Sequence, residues 1–180
     1  MRTADMLFHP VRLRIVQAMI GGRALTTSEL CARLPDTSKA TVYRQVALLA
    51  ENGFLEVEAE RRVRGAVERR YRLRRDRAVL TGDEIAALTP DDHRRGFATA
   101  LAALLAEFNV YLDRDGADPL ADSVGYRQIP LWLSPAEVAE MRDEILASIG
   151  ARFDNGPAPD RARYLFSPIF FPIEEPPEQT

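Results

Sequence analysis

The sequence predicts an α+β fold, mainly helical with one small β-hairpin, and two features of its pattern carry that prediction. Apolar residues recur at helical spacing in three short segments before Gly53. Apolar residues then alternate with glutamates from Leu55 to Glu60, as in a β-strand. The chain has 180 residues, of which 46% are apolar and 28% are charged, a balance that is typical of a globular protein.

The first two helices are delimited by proline and capping residues. Pro10–Ile20 is the first, because proline suits the first helical position and apolar residues follow at helical spacing. Thr26 opens the second helix with Glu29 at capping-box spacing, and Pro35 stops it. The residues that we expect to face inward are Val11, Ile15, Ala18, Met19, Leu30 and Leu34.

The third helix follows a turn of three residues, Pro35 to Thr37, and is the longest of this group. Ser38 is a good N-cap, and the helix is expected to end near Asn52, where Gly53 supplies the turn out of it. Its predicted buried stripe consists of Val42, Val46 and Leu49.

A β-hairpin is predicted next. Leu55, Val57 and Ala59 are expected on one face of its first strand, and Gly65 is expected at its turn. The apolar residues expected to share one face of the returning strand are Val67, Tyr71 and Leu73.

The residues after the hairpin predict a connector, two helices and extended segments. Leu73–Pro90 reads as a charged, partly helical connector, and Asp92–Leu112 as a long, alanine-rich helix. A further helix begins at Pro135, after a capping box opened by Ser134. Val124–Leu133 is expected to be extended, and Arg163–Ile173 is expected to contain an apolar, strand-like segment.

Charge divides the chain into two parts. Residues 1–78 contain 16 basic and 9 acidic side chains, whereas residues 79–180 contain 8 and 18, so that formal charges of +7 and −10 lie within a net charge of −3. Nine arginines fall between Arg61 and Arg77. We therefore predict a polyanion-binding domain over residues 1–78 and a dimerisation and effector-binding region, helical or α+β, over residues 79–180. Solvated charged faces are the alternative explanation.

The order of helix, short helix, turn, longer helix and basic hairpin is that of a winged helix-turn-helix, which inserts its third helix into the major groove of DNA. At 100° per residue, the face of this helix opposite Val42 and Leu49 carries small and hydrogen-bonding side chains, with Gln45 at its edge. The hairpin arginines are expected on the adjacent phosphate backbone or in the minor groove. The predicted DNA-binding residues are Ser38, Lys39, Ala40, Thr41, Tyr43, Arg44, Arg61, Arg62, Arg64 and Arg69.

Several segments resemble the ArsR-type winged-helix regulators of bacteria. The similarity is carried by Leu7–Ile15, Leu25–Leu30, Ser38–Arg44, Glu51–Leu55 and the hairpin Glu60–Leu73, and it covers residues 5 to about 75. The resemblance implies a dimeric transcription regulator that binds operator DNA, and such regulators often release the DNA on sensing a small-molecule ligand. We expect a repressor, although the sequence does not distinguish it from an activator.

Two departures from that family bear on sensing and on DNA contact. The metal-sensing members carry a Cys-x-Cys pair in the second helix, whereas this chain has only Cys31 there, so we expect no metal site and interpret Cys31 as a core or interface residue. The turn at Pro35–Thr37 is one residue longer than in compact members, which affects the placement of Lys39. His9 is expected to cap or pack at the first helix.

The acidic region is expected to provide a dimer interface. The long helix carries a broad apolar band, and we predict that the interface residues are Phe97, Leu101, Leu104, Leu105 and Phe108. Tyr111, Tyr126 and Trp132 could line an effector pocket, with core packing as the alternative explanation. The acidic segment Asp113–Asp122 does not fit a calcium loop, because its glycine is misplaced and Pro119 intrudes.

Other functional classes are less well supported. The chain has no P-loop, HExxH, GxSxG or dinucleotide-binding motif, so we expect no enzyme and no cofactor. The longest apolar run, Ala100–Ala106, is too short for a bilayer, and Met1–Pro10 lacks the apolar core of a secretory signal, so a cytoplasmic location is expected. A winged helix that contacts protein, or a non-specific architectural DNA binder, are the alternatives retained.

Arg64→Ala provides a test of the hairpin's expected role. Loss of one phosphate contact should weaken binding to all DNA sequences and reduce the slope of log affinity against log salt by about one unit. Titrations at several salt concentrations measure this, and an unchanged slope would count against the contact.

Overall fold

A computed structural model describes residues 2–63 and 65–174. Arg64, a predicted DNA contact, lies outside the described residues. The helices are α1 (Thr3–Leu7), α2 (Pro10–Met19), α3 (Thr27–Arg33), α4 (Lys39–Glu51), α5 (Gly82–Ala86), α6 (Pro90–Leu112) and α7 (Pro135–Phe153), with a 3₁₀ turn at Arg75–Arg77. The strands are β1 (Leu25–Thr26), β2 (Leu55–Val63) and β3 (Ala66–Leu73).

The predicted caps are present at the helices of the amino-terminal half. Thr26 and Glu29 form the reciprocal capping box of α3, at 3.1 and 2.7 Å. Ser38 caps α4 by accepting a hydrogen bond from the Thr41 amide at 3.2 Å. Gly53, with φ of +74°, takes the left-handed conformation that ends α4. Helix α1 was not expected from the sequence.

The three strands form one antiparallel sheet in the order β1-β3-β2. Strand β1 was not predicted, and it pairs Leu25 with Tyr71. The ladder between β2 and β3 shifts register between Val57 and Ala59, which is the effect of a β-bulge. The prediction that Ala59 shares a face with Leu55 and Val57 is therefore wrong, because the extra residue reverses the side-chain alternation beyond it.

The main core lies between the helices and the base of the hairpin. Helix α4 contributes Val42, Val46 and Leu49, each at most 2% exposed, which confirms the predicted stripe. The other fully buried large side chains are Met6, Ile15, Met19, Leu30 and Leu34. The hairpin adds Leu55 and Leu73. The predicted α+β fold, with an amino-terminal winged helix, is confirmed by this arrangement of α2, α3, α4 and the sheet.

Helix α6 packs across α1 and α2 and begins two residues before the predicted start. Thr89 caps it, and Asp92 closes a capping box with Thr89. Hydrogen bonds from Arg2 and Arg95, and from Thr89, hold the pKa of the nearly buried Asp92 carboxyl well below its ordinary value. These contacts tie the start of the chain to the start of α6.

A close approach between α6 and the end of α1 depends on a glycine. A Cβ at Gly96 would lie 2.9 Å from two ring atoms of Phe8, closer than real Cβ contacts. Gly96 therefore lets the Phe8 ring pack directly against the backbone of the long helix.

Beyond α6, α7 is the one regular element among the described residues up to 174. The predicted capping box of Ser134 and Glu137 opens it. Val124–Leu133 forms no ladder, and Arg163–Ile173 was wrongly predicted to be strand-like, since neither segment has a strand partner in the described structure. Apolar residues alone did not produce a strand where the described structure offers no sheet edge to pair with. No helix in the described ranges is both long and apolar enough to cross a bilayer.

Leu30→Ala tests the importance of this core for stability. Leu30 is 0% exposed, so the truncation should lower the free energy of unfolding by about 2–5 kcal/mol through lost burial and a cavity. Urea denaturation measures the change. Leu120→Ala is the matched control because Leu120 is 90% exposed; equal effects of both changes would contradict the core described here.

Candidate nucleic-acid interface

Helix α4 presents an open face opposite its buried stripe. Lys39, Ala40, Tyr43, Arg44 and Ala47 are all exposed, as the helical spacing predicted. Tyr43 is 55% exposed despite its aromatic ring. Within the described part of the chain, neither Lys39 nor Arg44 has an ion-pair partner. Two alanines and three long hydrogen-bonding side chains therefore form a narrow surface that can approach base edges.

The amino terminus of α4 can also receive a phosphate. Ser38 and Thr41 are occupied with capping: their hydroxyl oxygens lie 2.9 Å apart, and Ser38 also accepts from the Thr41 amide. Among the described residues, the amides of Lys39 and Ala40 have no acceptor. Unpaired amides at the positive end of a helix of 13 residues favour an anionic ligand.

Gln45 does not lie at the edge of the exposed face, as the helical projection had suggested. It is 3% exposed, and its Oε1 has no hydrogen-bond partner within the described structure. The projection was wrong here because Gln45 lies beside Val46 and Leu49 on the packed side. Gln45 is thus a core residue of α4 rather than a DNA contact.

The bulge separates the hairpin arginines onto two faces. Cross-strand partners lie on the same face, and the register pairs Arg62 with Val67 and Glu60 with Arg69. Alternation along β3 then places Arg62 and Arg69 on the face that carries Tyr71 and the core leucines. Arg61 pairs with Glu68 and lies on the opposite face. The predicted hairpin contacts therefore do not all lie on the same face of the hairpin.

Ion pairs along the hairpin neutralise part of its charge. Arg69 Nε donates to Glu60 at 2.8 Å, and Arg72 pairs with Glu58. Arg70 donates to the carbonyl oxygen of Ala24 at 2.6 Å, which fastens the hairpin to the chain just before β1. Arg61 and Arg62 are exposed and have no ion-pair partner among the described residues. They are therefore the most available cations of the described hairpin.

His9 lies near this surface without contributing charge to it. It occupies the N-cap of α2 without a side-chain cap bond, so it packs rather than caps. Burial, then the charges of Arg12 and Arg44, lower the pKa of His9 below its ordinary value. The imidazole is therefore neutral at pH 7, and the positive charge beside α2 belongs to the arginines.

A family of known proteins matches the part of the chain that contains α4. The family model, described as a helix-turn-helix domain, matches residues 7–58. These residues form a helix-turn-helix domain. It runs from the end of α1 into β2 and contains all of α4, and the match supports a DNA-binding transcription regulator. No curated protein matches the chain at a significant level.

Sequence reasoning missed a buried arginine beneath the helix-turn-helix domain. Arg14 on α2 is 3% exposed and contacts both the turn before α4 and helix α6. A signal for it exists in the sequence: Val11, Arg14 and Ala18 share helical spacing on the inward face of α2. A charged side chain at such a position predicts a partner of opposite charge.

The predicted interface band lies on the side of α6 that faces away from α2. Thr99 and Ala103 are buried, whereas Leu101 and Leu105, nearly opposite them on the helix, are 40% and 61% exposed. Phe97 is 45% exposed and meets Phe171 edge to face, with ring centroids 6.3 Å apart. Leu104 and Phe108 are half-buried at the flank of the band. A large apolar face of α6 is thus open to solvent.

The three aromatics of the predicted effector pocket do not come together in one chain. Tyr111 stacks on Phe108 at 6.0 Å, and Tyr126 meets the same ring at 6.3 Å. Trp132, however, is 85% exposed. Trp132 therefore does not join the contacts that Tyr111 and Tyr126 make with Phe108. Its segment is extended and has no strand partner in the described structure, so the indole lies in solvent.

Cys31 and the acidic loop, which were considered for metal binding, make other contacts in the structure. Cys31 is half-buried against the main core. In the acidic loop, Asp122 accepts hydrogen bonds from the Tyr111 hydroxyl at 2.9 Å and from Arg114 at 3.1 Å. Over the described residues, no group of three His, Cys, Asp or Glu side chains is arranged to hold a metal ion.

Arg44→Ala tests base reading by α4. The change should weaken binding to a selected duplex by about 1–3 kcal/mol and relax base preference at one position of each half-site. Fluorescence anisotropy on single-base variants of the duplex measures both effects. Arg142→Ala on α7 removes the same charge far from this surface, and equal losses in the two variants would contradict the role of Arg44.

Proposed function

We propose that the protein is a sequence-specific transcription regulator. It binds double-stranded operator DNA as a homodimer and represses transcription. Residues 1–78 bind DNA, and residues 79–180 provide dimerisation. Helix α4 lies in the major groove and the hairpin lies along the neighbouring phosphates. The residues assigned to DNA are those predicted from the sequence: Ser38, Lys39, Ala40, Thr41, Tyr43, Arg44, Arg61, Arg62, Arg64 and Arg69.

The open face of α4 supports this proposal most directly. Helix α4 packs into the core but keeps Lys39, Tyr43 and Arg44 exposed beside two small alanines. This cationic surface has no partner in the described part of the chain. The same helix belongs to the matched helix-turn-helix domain. Because such helices read base edges with a few side chains, the major groove of duplex DNA fits this surface best.

The open apolar face of α6 supports the homodimer. Large apolar side chains aligned along one helix face bury poorly in a single chain, and a second copy of α6 would cover them. Two-fold operators also require two half-site readers about 34–36 Å apart. We therefore assign the dimer contact to Phe97, Leu101, Leu104, Leu105 and Phe108.

The proposed regulator also releases DNA on binding a small-molecule effector. This release follows from the resemblance to ArsR-type regulators. The contacts of Tyr111 and Tyr126 with the Phe108 ring support an aromatic surface at one end of α6. Apolar pockets with few polar groups are the usual sites for such ligands.

Selection of bound fragments from a random duplex pool by the purified protein tests the function. The proposal predicts enrichment of a two-fold motif whose half-sites are one helical turn, or a multiple of it, apart. Equal affinity for the selected duplex and for bulk competitor at fixed salt would indicate an architectural binder. Absence of binding at low ionic strength would favour a winged helix that contacts protein.

Leu105→Glu tests the dimer contact. A charge on the apolar face should dissociate the dimer, because an unpaired carboxylate cannot be buried between the two helices without a large cost. Sedimentation velocity at micromolar concentration measures the change from dimer to monomer. Ala102→Glu adds the same charge to a different exposed face of α6 and should leave the dimer intact. A wild-type monomer at this concentration would contradict the assignment.

A further inference from the structure

Arg14 occupies a buried position where α2, the turn before α4 and helix α6 meet. Its side chain is 2% exposed. The guanidinium donates two hydrogen bonds to the Asp36 carboxylate, at 2.7 and 2.8 Å, and its Nε donates one to Glu107 at 2.6 Å. Arg14 lies on α2, Asp36 in the turn before α4, and Glu107 on α6. One buried cation therefore connects the turn of the DNA-reading motif with the proposed dimer helix.

The geometry of this connection fixes orientation as well as distance. A bidentate pair between a planar guanidinium and a carboxylate admits few arrangements. Asp36 lies two residues before Ser38, the N-cap of α4, so its position constrains where α4 begins. Hydrogen bonding by Arg14 also lowers the pKa of the Asp36 carboxyl, which keeps it charged at neutral pH.

The second carboxylate completes the connection from the side of α6. Glu107 lies on the face of α6 that packs toward α2, one helical turn beyond the buried Ala103. Its side chain is 35% exposed and that of Asp36 is 40% exposed, so each carboxylate borders solvent while the cation between them does not. A shift of α6 relative to α2 would alter the Glu107 contact and thereby the position of the guanidinium.

We propose that Arg14 is a positioning residue for DNA binding, through which Glu107 on α6 sets the placement of the turn at Asp36 and hence of α4. The inference rests on the proposed function and extends it by naming the residues that connect the dimer helix with the DNA-reading helix. None of the three side chains contacts DNA in this arrangement. Their effect is on the pose of α4 and not on the charge presented to phosphates.

Glu107→Gln separates positioning from simple electrostatics. Removing a negative charge would by itself strengthen binding to DNA, whereas a loosened turn weakens it. We expect the affinity for the selected duplex to fall about five- to thirty-fold, with the salt slope unchanged because no phosphate contact is lost. Glu140→Gln on α7 removes the same charge at an exposed position and should not weaken binding.

Asp36→Asn provides the second arm of the experiment and a double-mutant cycle. Each single variant should weaken binding, and the double variant should lose less than the product of the two factors, since both changes release the same guanidinium. Urea denaturation of every variant confirms that binding is compared among folded proteins. If Glu107→Gln does not fold, Asp36→Asn alone decides, with the same expected loss.

The outcomes distinguish the two levels of the proposal. Wild-type affinity, or tighter binding, in folded Glu107→Gln and Asp36→Asn would overturn the positioning role while leaving the proposed function intact. A flattened salt slope in these variants would also overturn it, because it would indicate a lost phosphate contact. Failure of the wild-type protein to bind any duplex would overturn the proposed function itself, and the inference with it.

Discussion

Burial of one face of α4 is the constraint on which the proposed interface depends. Val42, Val46 and Leu49 are almost completely enclosed, and together they supply several kcal/mol of hydrophobic stabilisation at about 1.5–3 kcal/mol for each side chain. Rotating the helix would expose these side chains to water. Once this face is buried, the helical period fixes the direction of all the remaining side chains of α4. Lys39, Tyr43 and Arg44 must therefore point outward. The DNA-reading surface is thus determined by the core behind it.

The arginines divide in the same way, into those that contact other parts of the fold and those that face solvent. Arginines that stabilise the fold have carboxylate or carbonyl partners: Arg14 on α2, and Arg70 and Arg72 on the central strand β3. Arg44 and Arg62 have no ion-pair partner in the described residues. Exposed, unpaired cations release counterions when they meet phosphates. The formal charge of +7 on residues 1–78 therefore overstates the number of cations available to DNA.

Much of the helix-turn-helix domain was predictable because local signals and the core agree there. Capping at Thr26 and Ser38 and the periodic apolar residues fixed α2, α3 and α4 closely. The bulge beside Val57 could not be read from alternation, since it depends on pairing with β3. The partners of Arg14 come from distant elements, so spacing indicates its burial but not its contacts. The segments after α6 carry apolar residues without a partner in the chain, and their pattern did not specify strands.

Methylation interference at guanine N7 tests whether α4 occupies the major groove, because this atom lies only in that groove. The measurement uses the unmodified protein and a duplex obtained by selection. The account predicts that N7 methylation at one or more guanines in each half-site prevents binding, with the sensitive positions about one helical turn apart. If the protein bound the fully methylated duplex as tightly as the unmethylated duplex, α4 would not occupy the major groove, and the prediction would be contradicted.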